Sequence, residues 1–169
     1  FSQVYFPRLS VPIAQNISAI FKLIIQFVIF AAFYIFFFFQ GFDLQPSLGI
    51  TLIPFLFLQC SLLGLGVGIL MSSFTTKYRD LNFIYRFITS FWMYISPVVY
   101  PLSVIPEKWR FIISFNPMVS IIEIARQVIF GRSSIEPMYI FNGLVTTMIL
   151  LFLGIIIFNR VEKTFIDTI

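Results

Sequence analysis

The sequence predicts an all-α integral membrane protein, and three observations carry that prediction. Hydrophobic residues make up 59% of the chain against 11% charged, and mean hydropathy is +0.98. A soluble domain carries about a quarter charged residues, so this balance excludes a water-facing globule. Second, the chain holds charge-free windows at 23–42, 44–76, 87–106 and 137–159. A membrane helix needs roughly 20 apolar residues, so each window is long enough to hold one. Third, the longest apolar runs are separated by a short polar turn, Ser72 to Leu81, which carries Lys77, Arg79 and Asp80.

What is missing narrows the chemistry. There is no His and one Cys, which excludes a His proton relay, a His/Cys metal site and an internal disulfide. Cys60 sits in an apolar run and reads as a packing residue. No G-x-x-x-x-G-K-[ST] occurs, so no P-loop for ATP is expected in this chain. A Ser/His/Asp set is impossible without His, and no paired carboxylates share one predicted pocket, so catalysis is not expected. The chain opens at Phe1 with no charged leader before the apolar runs, which reads as a fragment without a signal peptide.

Taken in order, residues 1–16 form a lead-in at the membrane surface, where Pro7 and Pro12 disfavour helix just before them. The first span is expected at about 13–39, with Lys22 snorkelling to the near surface. Gln40-Gly41-Phe42-Asp43 reads as a turn, and Pro46 suits a helix start. The second span is expected at about 47–71, with Ser72-Ser73 as a polar exit. Gly64 and Gly68 form a G-x-x-x-G pair, a spacing that lets two helices approach closely in lipid. The third span, about 82–101, is rich in aromatics and is expected to kink at Pro97 near the far surface.

The next stretch is irregular. Only 12 uncharged residues separate Arg110 from Glu123, too few to cross a bilayer. Asn116-Pro117 interrupts them, an N-cap followed by a residue suited to the first helical turn, and Gly131 suits a helix end. Two short helices are expected, about 106–115 and 117–130, dipping in and returning on one side. Glu123 and Arg126, three apart, share a helix face and can pair. A fourth span follows at about 138–158, and the charged tail leaves the membrane.

Charge counting tests this topology. One side holds Arg8, Lys22, Lys77, Arg79, Arg86, Arg160 and Lys163 against Asp80, Glu162 and Asp167, hence +4. The other holds four basic and four acidic residues, hence zero. The whole excess falls on one face, which the positive-inside rule assigns as cytoplasmic.

Several residues have a plain and a functional reading. Lys77-Tyr78-Arg79-Asp80 is either a positive-inside anchor or a docking surface for a cytoplasmic partner. Phe87, Phe91, Trp92, Tyr94 and Tyr100 are either lipid-facing and packing aromatics or a pore lining on which sugar rings stack. Trp109 and Tyr139 suit an interfacial belt. Glu123 and Arg126 are either a headgroup-level salt bridge or functional groups at membrane depth.

Six stretches in order carry a resemblance: VYFPRL at 4–9, TTKYRDL at 75–81, SPVVYP at 96–101, IPEKWRFI at 105–112, FNPM at 115–118 and VEKTFIDTI at 161–169. Together they resemble the permease subunit of ABC-2 type polysaccharide exporters, which move O-antigen, teichoic acid or capsule. The resemblance implies an ABC-2 transmembrane domain of which this chain supplies four of six spans, with 106–115 and 117–130 as extracytoplasmic gate helices bearing Trp109, Asn116, Pro117, Glu123 and Arg126. It implies a homodimeric permease in the bacterial cytoplasmic (inner) membrane, with its C-terminus cytoplasmic. Two copies of a separate ABC ATPase would hold ATP and Mg, with no cofactor in this chain. Tyr5, Arg8, Lys77, Tyr78, Arg79 and Asp80 would face that ATPase. The third span would line a channel for a lipid-linked glycan; no nucleic-acid partner is expected. Three rivals remain: an ABC-2 exporter of drugs or small molecules, a membrane-embedded glycan-assembly enzyme, and a secondary transporter.

Overall fold

The computed structural model describes residues 10–41, 48–78, 80–131 and 136–166. Every regular element among them is helical: α1 (Ser10–Phe39), α2 (Ile53–Lys77), α3 (Leu81–Ile95), α4 (Glu107–Ser114), α5 (Pro117–Phe130) and α6 (Pro137–Ile166). Short 3-10 turns at Leu48–Leu52 and Leu102–Val104 lead into α2 and α4. Three helical stretches are long and apolar enough to cross a membrane: Ser10–Phe39, Gly49–Thr75 and Pro137–Val161. The chain is a multi-pass membrane protein.

The centre of the fold is the contact between α2 and α6. These helices run parallel, since Gln59 lies level with Gly143 and Gly66 level with Leu151 and Gly154. A Cβ on Gly66 would sit 2.9 Å from the Leu151 Cα, and one on Gly154 would sit 2.7 Å from the Gly66 carbonyl oxygen. Glycine removes the obstacle and lets the backbones meet, which matters in lipid because packing, not water exclusion, drives association. Among the described residues Gly64 and Gly68, the pair expected to pack, make no such close contact. A Cβ on Gly68 would meet nothing within 4 Å, and one on Gly64 only the Asn16 side chain, 3.9 Å away. At about 100° per residue, Gly66 points roughly 200° from Gly64, to the opposite side of α2.

Antiparallel to α2, α1 is held by Asn16, whose Nδ2 donates to the Ser61 carbonyl at 3.2 Å, and by an edge-on Phe27–Phe57 contact at 5.1 Å. Tyr34 then donates to the Ile129 carbonyl at 2.9 Å, placing the end of α1 beside the end of α5. The core gathers Leu56 and Leu63 of α2 with Ile121, Ile124 and Val128 of α5.

Several predicted boundaries move. The α-helix of the second span, α2, begins after the 3-10 turn, with Pro54 in its first turn, and runs through the supposed polar exit to Lys77. There the Ser73 hydroxyl donates to the Ile69 carbonyl and the Thr75 hydroxyl to the Met71 carbonyl, both at 2.9 Å, so the hydroxyls are satisfied within the helix and do not end it. The third helix does not kink at Pro97 but stops before it. Ser96 is extended (φ −83, ψ 139), as the residue preceding proline prefers. Its 15 residues rise about 22 Å, short of the ~30 Å hydrocarbon core. Tyr100 and Pro101 consequently lie outside the helix. The last helix continues to Ile166, because Arg160 and the residues after it tolerate helix in water as well as in lipid.

The two glycine environments separate cleanly. Gly154→Ala should cost about 1–3 kcal/mol through overpacking against backbone, lowering the melting temperature of the detergent-extracted protein. Gly68→Ala should leave it within error, and an equal loss for both would refute the close-packing assignment.

Candidate functional site

The polar groups that membrane depth makes costly converge where the end of α3 meets the α4–α5 pair. The sequence builds this junction from local rules. Asn116 caps α5: its Oδ1 accepts from the Met118 backbone N–H at 3.1 Å, with Pro117 in the first turn behind it. Gly131 ends α5 in the left-handed region at φ 65, a conformation glycine adopts without a Cβ clash. The axes of α4 and α5 meet at 105°. The start of α5 lies level with Gln59, whose Nε2 donates to the Ser120 hydroxyl at 3.2 Å. Its end lies beside Tyr34, towards the end of α1.

Asn116 also reaches α3. The Trp92 indole N–H donates to Asn116 Oδ1 at 3.2 Å, and Asn116 Nδ2 donates to the Ser96 hydroxyl at 3.1 Å. A second tie lies nearer the surface, where Arg126 Nη2 donates to the Pro97 carbonyl at 2.9 Å. The same guanidinium pairs with Glu123, whose side chain is only 6% exposed. The ion pair is thus joined to the end of α3. Asn142 of α6 completes the junction by donating to the Ser114 hydroxyl at 2.9 Å.

The sequence-predicted residues scatter accordingly. Trp92, Asn116, Pro117, Glu123 and Arg126 are brought together. Phe87 and Phe91 stack at 4.9 Å and Tyr94 follows at 6.5 Å, forming an exposed ladder on the far face of α3. Tyr100 folds back with its hydroxyl 3.2 Å from the Tyr94 and Ile95 carbonyls, covering the helix end. Trp109 is exposed on α4, and Tyr78 and Asp80 are exposed at the α2–α3 turn. Tyr5, Arg8 and Arg79 lie outside the described residues, as does the Lys77 side chain. Sequence reasoning missed Ser96, Ser114, Ser120, Gln59 and Asn142. Lone polar residues in apolar runs were the available signal.

A family model described as ABC-2 type transporter matches residues 2–130, from the lead-in to the end of α5. The chain belongs to the ABC-2 type transporter family. Two relatives of this transporter chain, both O-antigen export system permease proteins RfbA from Klebsiella pneumoniae, are each 29% identical to it over 130 residues. That match covers 75% of this chain and 49% of each relative, so the chain spans about half their length.

Two measurements test the junction. Asn116→Ala should cost about 1–2 kcal/mol from the lost cap alone, whereas Asn116→Asp, which keeps the acceptor for Met118 and Trp92, should lose less; thermal melts in detergent decide. Arg126→Met should be more damaging, about 3–5 kcal/mol, because it removes the ion pair of a largely buried carboxylate. Adding Glu123→Gln should then restore part of the stability, and failure of that rescue would show that Arg126 acts mainly through the Pro97 and Val98 carbonyls.

Proposed function

We propose that the chain forms part of the channel wall of an ATP-driven exporter that moves a lipid-linked polysaccharide across the bacterial cytoplasmic membrane. O-antigen is the foremost cargo, with teichoic acid and capsule polymers as the same chemical class. The observation that carries this reading is the similarity of residues in this ABC-2 chain to permeases named for O-antigen export. The all-helical, weakly charged fold agrees with a transport subunit that leaves ATP and Mg to a separate ABC ATPase.

In this reading the basic side of the chain is cytoplasmic, and the α2–α3 turn with Lys77, Tyr78, Arg79 and Asp80 meets the ATPase, with Tyr5 and Arg8 nearby. Two permease copies and two ATPase copies form the working unit. α3 runs from that turn to the junction with α5, so displacement at its cytoplasmic end is delivered to Asn116 and Arg126 at the other. The bent α4–α5 pair then acts as the extracytoplasmic gate. Phe87, Phe91, Trp92, Tyr94 and Tyr100 all lie on or beside α3, the helix along which the glycan moves.

The test is complementation. The complete gene, together with its neighbouring ATPase gene, should restore surface glycan in a permease-null polysaccharide exporter. A Tyr78→Ala, Asp80→Lys double change should reduce glycan by about ten-fold, a loss of about 1.4 kcal/mol in coupling, at normal membrane level. Failure to restore glycan in hosts for O-antigen, teichoic acid and capsule, despite assembly with the ATPase, would move the cargo to small molecules.

A further inference from the structure

The amphipathic pattern of α3 distinguishes its two faces. Set about 100° apart, Asn82, Tyr85, Arg86, Thr89, Ser90 and Trp92 fall within an arc of about 160°, which also holds the apolar Met93, with Ser96 continuing the same line. Phe83, Ile84, Phe87, Ile88, Phe91, Tyr94 and Ile95 fill the remainder. In hydrocarbon the first arc is costly and the second is at home. Asn82, Tyr85, Thr89, Trp92 and Ser96 of this arc border two open cavities shared with α2, of about 460 Å³ and 340 Å³, whereas Arg86 and Ser90 are exposed and border neither.

The larger cavity is bounded by Gln15 on α1, Ser72 and Thr75 on α2, and Asn82 and Tyr85 on α3. The smaller is bounded by Cys60 on α2 and by Thr89, Trp92 and Ser96 at the end of α3. Gly64 borders both cavities and Gly68 borders the larger, with open space where its Cβ would be. The glycines that do not pack against α6 thus open a groove along α3. Among the described residues, none lining either cavity is charged. In the larger cavity amides and hydroxyls match sugar hydroxyls and Tyr85 offers a ring face, whereas the smaller, walled mainly by Leu63, Val67, Met93, Val98 and Met118 around Trp92, offers apolar and ring faces to sugar C–H groups.

We propose that the face of α3 formed by Asn82, Tyr85, Thr89, Trp92 and Ser96, opposite Gly64 and Gly68, is the glycan-contacting surface, and that the Phe87–Phe91–Tyr94 ladder faces away from the cargo. This assignment rests on the export reading above. It places the path on the side of α3 that leads to Trp92 and Ser96, the residues held by Asn116, so cargo reaching the end of α3 arrives at the gate junction.

Thiol accessibility tests it in the complete transporter assembled with its ATPase, in a background where Cys60 and any other native cysteines are serine. Asn82→Cys and Thr89→Cys on one arc, and Phe83→Cys and Phe87→Cys on the other, are exposed singly to a membrane-impermeant methanethiosulfonate during ATP turnover. The polar-arc positions should react about ten-fold faster or more, because a hydrated thiolate is the reactive species, and their modification should block glycan export. The opposite order would overturn the proposal. Uniformly slow reaction would overturn it too, since a protein segment or lipid filling the groove would give that result. Fast polar-arc labelling without any exported glycan would refute the cargo and not the path; restored glycan without that labelling would refute the path and not the cargo.

Discussion

The close approach of α2 and α6 through Gly66 and Gly154 is the constraint on which the rest is laid. In lipid, apolar side chains gain little by leaving the solvent, so helix pairs depend on backbone proximity and on hydrogen bonds. Fixing α2 against α6 creates the trough that α5 fills with Ile121, Ile124 and Val128. It also brings Gly143 under Ser120, where a Cβ would collide with the Ser120 hydroxyl at 2.0 Å. Glycine at three levels thus permits one continuous three-helix contact.

Upon that base the polar contacts have a narrow role: they position α3. None of α3's residues is buried, so little apolar packing holds it. What holds its end is Asn116, which bridges Trp92 and Ser96, and Arg126 on the Pro97 carbonyl. Away from water these bonds meet less competition than at a surface.

How much of this was legible in the sequence depended on whether the signal was local. The Asn116 cap, Pro117 and Gly131 write their geometry within a few residues, as does the Glu123–Arg126 spacing. Boundaries were less legible, because a serine or threonine in a membrane helix can satisfy its hydroxyl on the preceding turn. Ser73 and Thr75 therefore look like an exit and behave as helix. The Ser96-Pro97 step was read as a kink, although the same rule also allows a stop, and the partner holding that stop, Arg126, lies 29 residues away. Least legible was the choice between Gly64/Gly68 and Gly66. Both sit in the same short stretch, and only Gly154, from another helix, decides which one is pressed.

The 15-residue length of α3 has a consequence for the lipid around it. Its apolar ladder offers a hydrophobic height of about 22 Å to a bilayer whose core is about 30 Å thick. Such a mismatch is relieved by local thinning of the leaflets or by tilt, at a cost of a fraction of a kcal/mol per ångström. Where the mismatch is met by thinning, the two bilayer surfaces would lie closer together beside α3 than beside the longer helices α1, α2 and α6.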